Sequence, residues 1–398
     1  MARTIPIFAA KTPSTVTSLE FRVSPPLALY VHVPWCVQKC PYCDFNSHEA
    51  DGDIPEREYV AALIADLQSA LPLIWGRPVV SVFFGGGTPS LLSPAAIDEL
   101  LAAFRALAML SPEAEITLEA NPGTVEAAKF AGFSKAGVNR VSLGIQSFND
   151  DHLKALGRIH GADEAKRAAQ LAAEHFPSFN LDLMYGLPGQ TLEQALSDVE
   201  TALSFKPPHL SCYQLTLEPN TRFAAFPPEL PEGDTCADMQ EAIEARLADA
   251  GFANYETSAF AQTGKQCRHN LNYWHFGDYL GIGAGAHSKL TLHDRVLRQM
   301  RWKHPKAYLD NIRSGNAVQE ETQVEAKSLP FEFMMNALRL ADGFHPGLFE
   351  ARTAQPLIGI HTELQAAEAD GLLIVGPEKI APTAKGRRFL NVLLERFL

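Results

Sequence analysis

The stretch Leu27-Ala-Leu-Tyr-Val-His-Val-Pro-Trp-Cys36-Val-Gln-Lys-Cys40-Pro-Tyr-Cys43 joins an apolar run to three closely spaced cysteines. The run Leu27–Val33 is apolar and partly β-branched and is followed at once by Pro34. It therefore predicts a buried strand that ends where the cysteines begin. Three thiolates on one short loop can each bind one iron of a [4Fe–4S] cubane, which leaves the fourth iron open to a small molecule.

Zinc is the alternative occupant of this cysteine loop, with His32 or His48 as the fourth ligand. Structural zinc sites usually show two spaced pairs of ligands, whereas this chain has one triplet and no second pair. Three unrelated buried thiols are the remaining explanation. The other cysteines are scattered, and we expect Cys212 and Cys236 to be packing residues.

Short apolar runs alternate with longer amphipathic stretches throughout the first half of the chain. Five further runs follow the first strand, and they are Val79–Phe84, Glu115–Glu119, Arg140–Ile145, Asn180–Tyr185 and Leu210–Leu217. Near-continuous apolar strands separated by helices are typical of a parallel sheet that is covered on both faces. Six such units predict an α/β fold, either a doubly wound sheet or an incomplete barrel that lacks two of the usual eight units.

Turn residues or polar side chains follow each predicted strand at its carboxyl end, where sites form in parallel α/β folds. The second strand leads into Gly85-Gly-Gly-Thr-Pro89, and the third ends at Glu119. The fifth carries Asp182 and leads into Gly186-Leu-Pro-Gly189. A polar loop without function is the alternative for any single strand, but the pattern in all six predicts one common site.

Composition and charge exclude several classes of protein. Apolar residues make up 46% and charged residues 20% of the 398, which excludes a disordered chain, a collagen and a polytopic membrane protein. The formal net charge is −12, which counts against a general binder of nucleic acid or anionic membranes. No apolar run reaches the roughly 18 residues of a membrane span, and the N-terminus makes a poor signal peptide. We expect a cytoplasmic protein.

Four segments are predicted along the chain. Residues 1–25 form a loose tail, 26–225 the α/β domain, 226–326 a connecting segment and 327–398 a small helical, winged-helix-like domain. The last segment holds eight basic and eight acidic residues. Because a groove-reading domain is expected to be basic, we expect the winged-helix shape without nucleic-acid binding.

Four motifs together resemble the radical S-adenosylmethionine (SAM) superfamily. Within it they resemble the branch that holds the oxygen-independent coproporphyrinogen III oxidases and the HemW-type heme chaperones. The motifs are Tyr30-Val-His-Val-Pro-Trp-Cys36, the three-cysteine loop, Gly85-Gly-Gly-Thr-Pro89 and Tyr185-Gly-Leu-Pro-Gly189. The resemblance runs from about residue 27 to the C-terminus. It implies a partial (β/α)6 radical SAM barrel, a [4Fe–4S] cluster and bound SAM.

The resemblance also assigns site residues. It implies that Cys36, Cys40 and Cys43 ligate the cluster. It implies that further residues contact the cofactor, namely Tyr30, Tyr42, Gly86, Gly87, Thr88, Glu119, Gln146, Arg158 and Asp182. In this assignment Tyr42 flanks the adenine, and the glycine loop meets the methionine amino group. A structural salt bridge or cap is the alternative role for the charged members of the set.

Two features separate the two members of this branch. The oxidases carry a further cysteine two positions after the third, and this chain has Phe45 there. The run His269-Asn-Leu-Asn-Tyr273-Trp274 matches the heme-binding signature of the chaperones. It implies that His269 ligates heme iron while Tyr273 and Trp274 lie against the porphyrin. A buried core histidine is the alternative, and for nearby Cys267 a buried thiol is preferred over a second ligand.

The resemblance thus implies a heme chaperone that delivers heme to respiratory hemoproteins. Radical decarboxylation of coproporphyrinogen III is the alternative, although Phe45 puts that activity in doubt, and a nucleic-acid-modifying radical enzyme is a third hypothesis. The implied partners are heme and apo-hemoproteins of the respiratory chain, met in transient contact at the membrane. A homodimer is left open and no nucleic acid is expected. We expect tight backbone packing, rather than phosphate binding, at Gly281-Ile-Gly-Ala-Gly-Ala-His-Ser288.

Overall fold

The computed structural model describes residues 19–124 and 127–398. Most of the predicted tail, residues 1–25, therefore lies outside the described residues. Its last part is packed rather than loose. Leu19 and Phe21 are buried among residues of the C-terminal module, and the Phe21 amide donates a hydrogen bond to the carbonyl oxygen of His293 at 2.9 Å.

The strands of the described residues fall into three sheets. In chain order they are β1 (Leu27–Val33), β2 (Trp35–Cys36), β3 (His48–Glu49), β4 (Pro78–Gly86), β5 (Met109–Ala120), β6 (Arg140–Gln146), β7 (Ser178–Tyr185), β8 (His209–Gln214), β9 (Ala253–Glu256), β10 (Ala259–Ala261), β11 (Asp278–Ile282), β12 (His287–Thr291), β13 (Val296–Arg301), β14 (Val318–Gln323), β15 (Leu373–Val375) and β16 (Ile380–Pro382).

Twelve of these strands form one sheet in the order β14-β13-β12-β11-β1-β4-β5-β6-β7-β8-β10-β9. The neighbours from β1 through β4, β5, β6 and β7 to β8 are all parallel, which confirms the six predicted βα units. The segment 226–326 is more than a connector, because it supplies six strands at the two edges of this sheet. Its strand β11 pairs in parallel with β1, and β12 to β14 continue antiparallel.

Helices follow most of the parallel strands and cover the sheet. In chain order the α-helices are α1 (Glu56–Ile74), α2 (Pro94–Leu107), α3 (Ala127–Ala136), α4 (Asp150–Ala155), α5 (Ala162–His175), α6 (Leu192–Ser204), α7 (Arg222–Ala225), α8 (Gly233–Asp249), α9 (Arg268–Trp274), α10 (Pro305–Ile312), α11 (Leu329–Ala337), α12 (Pro346–Thr353), α13 (His361–Ala369), α14 (Ala384–Arg388) and α15 (Leu390–Leu394). Local signals start several of them, as where the Ser93 hydroxyl accepts a bond from the Ala96 amide before α2.

One large core lies between the sheet and its helices, and the C-terminal module has its own. In that module helices α11 to α13 precede the β15–β16 hairpin, and two short helices end the chain. This order fits the winged-helix-like domain predicted from residue 327. Among the described residues no helix is both long and apolar enough to cross a membrane.

Candidate functional site

The cysteine loop begins where β1 ends, at the middle of the large sheet. Strands β2 and β3 close the loop by pairing Trp35 with His48 and Cys36 with Glu49. The Phe223 amide donates to the Pro41 carbonyl oxygen at 3.0 Å and fixes the loop from the far side. Cys36, Cys40 and Cys43 are half-buried and unpaired by disulfides. The fold therefore holds three free thiols on a short closed loop.

A cavity of about 300 Å³ opens between the cysteine loop and the carboxyl ends of the parallel strands. The residues predicted for the cluster and its cofactor converge on it from different strands. Those that line it are Cys36, Cys40, Tyr42, Cys43, Gly86, Gly87, Thr88, Glu119, Gln146, Arg158 and Asp182. Tyr30 lines an adjoining cavity instead. The volume lies at the lower end of the range of small-molecule sites, about 300–1,000 Å³.

The glycine loop after β4 lies directly against the chain leading into the cysteines. The amides of Gly87 and Thr88 donate to the carbonyl oxygens of Val33 and Trp35, both at 2.7 Å. A Cβ on Gly87 would lie 2.4 Å from the Trp35 oxygen, and Gly86 has a φ of +108°. Only glycine allows the two backbones to lie this close, so one role of the glycine motif is to let the cysteine loop pack against the sheet.

Arg158 crosses the cavity and connects three of its walls. One guanidinium nitrogen, Nη1, lies 3.6 Å from Cys40 Sγ and 3.4 Å from the Tyr42 hydroxyl. The other, Nη2, donates to the Gly144 carbonyl oxygen at 2.8 Å and to Asn121 Oδ1. A buried cation that contacts the Cys40 thiol and the Tyr42 hydroxyl at this cavity fits a role in binding an anionic group.

Glu119 and Asp182 place two carboxyl groups on the floor of the cavity. Desolvation, and then the neighbouring Asp182, raise the pKa of Glu119 to about 8, against the lowering effect of the Gly86 amide. Desolvation also raises the pKa of Asp182, although Ser142 and Asn180 donate hydrogen bonds to it at 3.0 and 2.7 Å. Without a bound cation, Glu119 is therefore protonated at neutral pH. Carboxyl groups held in this way suit a positively charged or hydroxyl-bearing ligand.

Burial changes the pKa of the cysteine thiols. Desolvation raises the pKa of Cys36 and of Cys43, and the neighbouring cysteine sulfurs raise it further. A metal must therefore displace protons from them when it binds. Three thiol donors on one loop beside a cavity fit the donor set of a [4Fe–4S] cluster with one open iron.

A second cavity, of about 830 Å³, lies on the other side of the cysteine loop. It shares part of its lining with the first, namely Cys43, Phe45, Ser47, Gly86 and Glu119. Three tyrosines from different strands and helices contribute to it, namely Tyr30, Tyr273 and Tyr279. Phe45, at the position where the oxidases carry a cysteine, is 57% exposed and forms part of the boundary between the two cavities.

The aromatic motif 269–274 forms α9, and only its tyrosine reaches the second cavity. His269 is 2% exposed and shares a hydrogen bond of 3.0 Å between its Nδ1 and the Ser81 hydroxyl, while its ring stacks on Phe83. Desolvation, with Arg140, lowers its pKa to about 3. The Nε2 atom is buried and has no hydrogen-bond partner within residues 19–124 and 127–398. Trp274 lies beneath Arg339, which is 5.2 Å from the ring centroid.

Residues 30–202 match the radical SAM superfamily, and residues 324–389 match the HemN C-terminal domain. Over 376 residues the chain is 51% identical to the heme chaperone HemW of Escherichia coli, covering 94% of this chain and 98% of that protein. The chain belongs to the HemW family. It is also 36% identical to the mouse mitochondrial radical S-adenosyl methionine domain-containing protein 1, covering 92% and 86% of the two chains.

A solved structure agrees with this membership. The chain resembles coproporphyrinogen III oxidase (HemN) from Escherichia coli, a radical SAM enzyme, with a TM-score of 0.80 and 25% identity, covering 94% of this chain and 90% of the oxidase. Membership of the HemW family, which carries the radical SAM domain, implies a [4Fe–4S] cluster and SAM. The group that the family implies is therefore an iron–sulfur cluster rather than zinc.

Several residues at the two cavities were not predicted from sequence. Asn121 follows β5 and contacts both Arg158 and Thr88. Asn46 holds the cysteine loop to the Gly-rich segment by donating to the Ala284 carbonyl oxygen at 3.1 Å, and it also donates to the Lys303 carbonyl oxygen, just after β13, at 2.8 Å. His287, from the same segment, lines the second cavity. No spacing rule joins residues this far apart in sequence, so only the fold shows them together.

Proposed function

We propose that the chain is a cytoplasmic heme chaperone that binds heme and delivers it to apo-hemoproteins of the respiratory chain. The observation that carries this is 51% identity, over nearly the full length of both chains, to a protein named heme chaperone HemW. Phe45 also favours the chaperone over the oxidase, because an exposed phenyl ring lies at the position where the oxidases carry a cysteine. The proposal includes respiratory apo-hemoproteins as the recipients of heme, and a homodimeric state.

Cys36, Cys40 and Cys43 would hold the cluster, and the residues lining the 300 Å³ cavity would hold SAM. The bound cluster supplies an electron that can cleave the sulfonium of SAM. Arg158 would bind the carboxylate of the methionine moiety, and Glu119 and Asp182 would accept hydrogen bonds from ribose hydroxyls or the ammonium group. Tyr42, Gly86, Gly87, Thr88 and Gln146 line the same cavity and would complete the contacts, whereas Tyr30 lines the adjoining cavity.

Heme titration of the purified protein tests the proposal. We expect a shifted Soret band that saturates with added hemin, with the cluster present and absent, and transfer of that heme to the apo form of a b-type respiratory cytochrome. Hemin incubated with the apo-cytochrome alone controls for spontaneous exchange. A protein that takes up no heme, or that holds heme and never passes it on, contradicts the chaperone function.

Anaerobic assay of the reconstituted protein with coproporphyrinogen III, SAM and a reductant tests the alternative. We expect no protoporphyrinogen above background. The oxidase reading draws support from the TM-score of 0.80, but at 25% identity it is weaker than the similarity to HemW. Formation of product would instead establish the oxidase and remove the interpretation placed on Phe45.

A further inference from the structure

His287 opens β12 at the end of the Gly-rich segment, and its imidazole lines the 830 Å³ cavity. The side chain is exposed, and among the described residues it has no hydrogen-bond partner. Tight backbone packing sets its position. A Cβ on Gly281 would lie 2.1 Å from the His287 carbonyl oxygen, and one on Gly283 would lie 2.4 Å from the His32 carbonyl oxygen. The segment therefore packs as predicted and presents one free imidazole to the cavity.

The other histidines near this cavity are less available. Both ring nitrogens of His32 are engaged, Nδ1 with the Tyr30 hydroxyl at 3.0 Å and Nε2 with the Asn46 carbonyl oxygen at 2.9 Å. His48 packs edge-on against His304, with ring centroids 5.2 Å apart, and its Nε2 is buried. His269 of the aromatic motif does not line the cavity at all.

The lining of the cavity around His287 suits a planar, apolar ligand that carries acidic groups at its edge. Tyr273 and Tyr279 lie with ring centroids 4.4 Å apart, and Tyr30 and Phe45 extend the aromatic lining. Partial desolvation lowers the pKa of His287, and the positive charge of Lys303, which is exposed at the same cavity, lowers it further. The neutral imidazole, the form that binds iron, is therefore favoured.

We propose that His287 is the axial ligand of heme iron and that heme occupies the 830 Å³ cavity, with Lys303 paired to a propionate. This inference rests on the proposed heme-binding function and names its site. It departs from the assignment of iron ligation to His269, and it gives Tyr273 of that motif the role of an aromatic contact with the porphyrin.

Hemin titration of four proteins tests the site, namely the full-length protein and its His287→Ala, His48→Ala and His361→Ala variants. His361 is an exposed histidine of α13 and serves as the matched control. We expect His287→Ala to raise the Kd for hemin by about ten-fold or more and to move the Soret band, since even loss of a group that only supports a metal ligand costs about 10–100-fold. Free imidazole should restore the wild-type spectrum by filling the vacated place.

Metal-free protoporphyrin IX provides a second arm. Because it has no iron to ligate, it should bind the full-length protein and His287→Ala with the same Kd. The Lys303→Glu variant should bind both hemin and protoporphyrin IX more weakly. A full-length protein that binds no heme overturns the proposed function itself. Normal heme binding together with an unchanged His287→Ala spectrum overturns only this site, as does a loss confined to His48→Ala. Melting curves of each variant identify any loss that is due to misfolding.

Discussion

At the scale of single residues, Glu119 carries the clearest electrostatic signature of the site. Its pKa of about 8 exceeds the ordinary value of 4.5. Between these values the folded protein holds a proton that the unfolded chain has released. Stability of the ligand-free protein therefore falls as pH rises through this window, by about 1.4 kcal/mol per pH unit for one such group.

Glu119→Gln removes this titration, because the amide stays neutral. We expect the thermal midpoint of the ligand-free variant to fall less between pH 5 and pH 8 than that of the unaltered protein. Glu229→Gln, at an exposed glutamate outside both cavities, is the control and should follow the unaltered protein. Parallel curves for Glu119→Gln and the unaltered protein would show that the carboxyl group is ionised throughout.

Residues could be predicted where a short motif fixes them. The three cysteines lie close together in sequence, as do Gly86 and Gly87 some 40 residues later, and the fold brings the two groups to one cavity. His269 shows the limit of motif matching, because nothing in its spacing reveals that Ser81 and Phe83 enclose the ring. Gln146 shows another limit. Its φ of +67° arises at an irregularity of the β6–β7 pairing, and no residue type at that position predicts it.

At the scale of elements, the turn between β11 and β12 supports the cysteine loop. Gly285 has a φ of +80°, and a Cβ there would lie 2.2 Å from Asn46 Nδ2. Gly315 has a φ of +78° with nothing within 4 Å of such a Cβ. Alanine at either position bears the strain of the left-handed conformation, about 1–2 kcal/mol, but only Gly285→Ala displaces Asn46.

We therefore expect Gly285→Ala to lower the iron and acid-labile sulfide bound per chain after anaerobic reconstitution, by about half or more by analogy with losses at supporting shells of metal sites. Gly315→Ala should load its cluster normally. Elemental and sulfide analysis, with the absorbance of the reduced and oxidised forms, gives the measurement. Equal loading of the two variants would show that the turn does not position the loop.

Strands with a clear apolar pattern in the sequence were predicted well, whereas a strand that forms only by pairing with its neighbour in the sheet was not. The six parallel strands lie within a few residues of the predicted runs, although β5 extends back to Met109. Strand β14 was missed because its residues Val318–Gln323 are mostly charged or amide side chains on an exposed sheet edge.

At the scale of the whole molecule, a buried ion pair joins helix α1 to strand β13 near one edge of the large sheet. Asp66 of α1 pairs with Arg301 of β13 at 3.0 Å, and both side chains are at most 1% exposed. Asp66 also accepts bonds from the Tyr308 hydroxyl at 3.0 Å and the Gly283 amide at 3.1 Å. The pair thus fixes the Gly-rich segment against the helix that follows the cysteine loop.

Removing one partner of such a pair leaves a buried charge. We expect Arg301→Met to lower the free energy of unfolding by about 3–5 kcal/mol, and Asp66→Leu with Arg301→Met to recover part of that loss. Glu58→Gln, which breaks the exposed pair with Arg313, should cost less than about 1 kcal/mol. Denaturant unfolding of the four proteins measures these values. A double variant no more stable than Arg301→Met would show that the charge pair is not the cause.

The division into domains was the least accurate of the sequence-based predictions. Composition suggested that the α/β unit ends near residue 225, yet β11 to β14 continue its sheet past β1. Parallel pairing of β1 with β11 joins positions about 250 residues apart, as at Leu27 and Asp278, and local pattern carries no information about such a pairing. The C-terminal module, by contrast, has its own core and a local order of elements, so it could be predicted.

The side chains and backbone that separate the two cavities belong to both. Cys43, Gly86 and Glu119 face each of them, so whatever occupies one volume alters the electrostatic and steric surroundings of the other. Thermodynamic linkage then requires reciprocity: if filling the smaller volume changes affinity in the larger by some factor, filling the larger changes affinity in the smaller by the same factor. Any such change in affinity makes loading and release at the two places one coupled equilibrium rather than two independent ones.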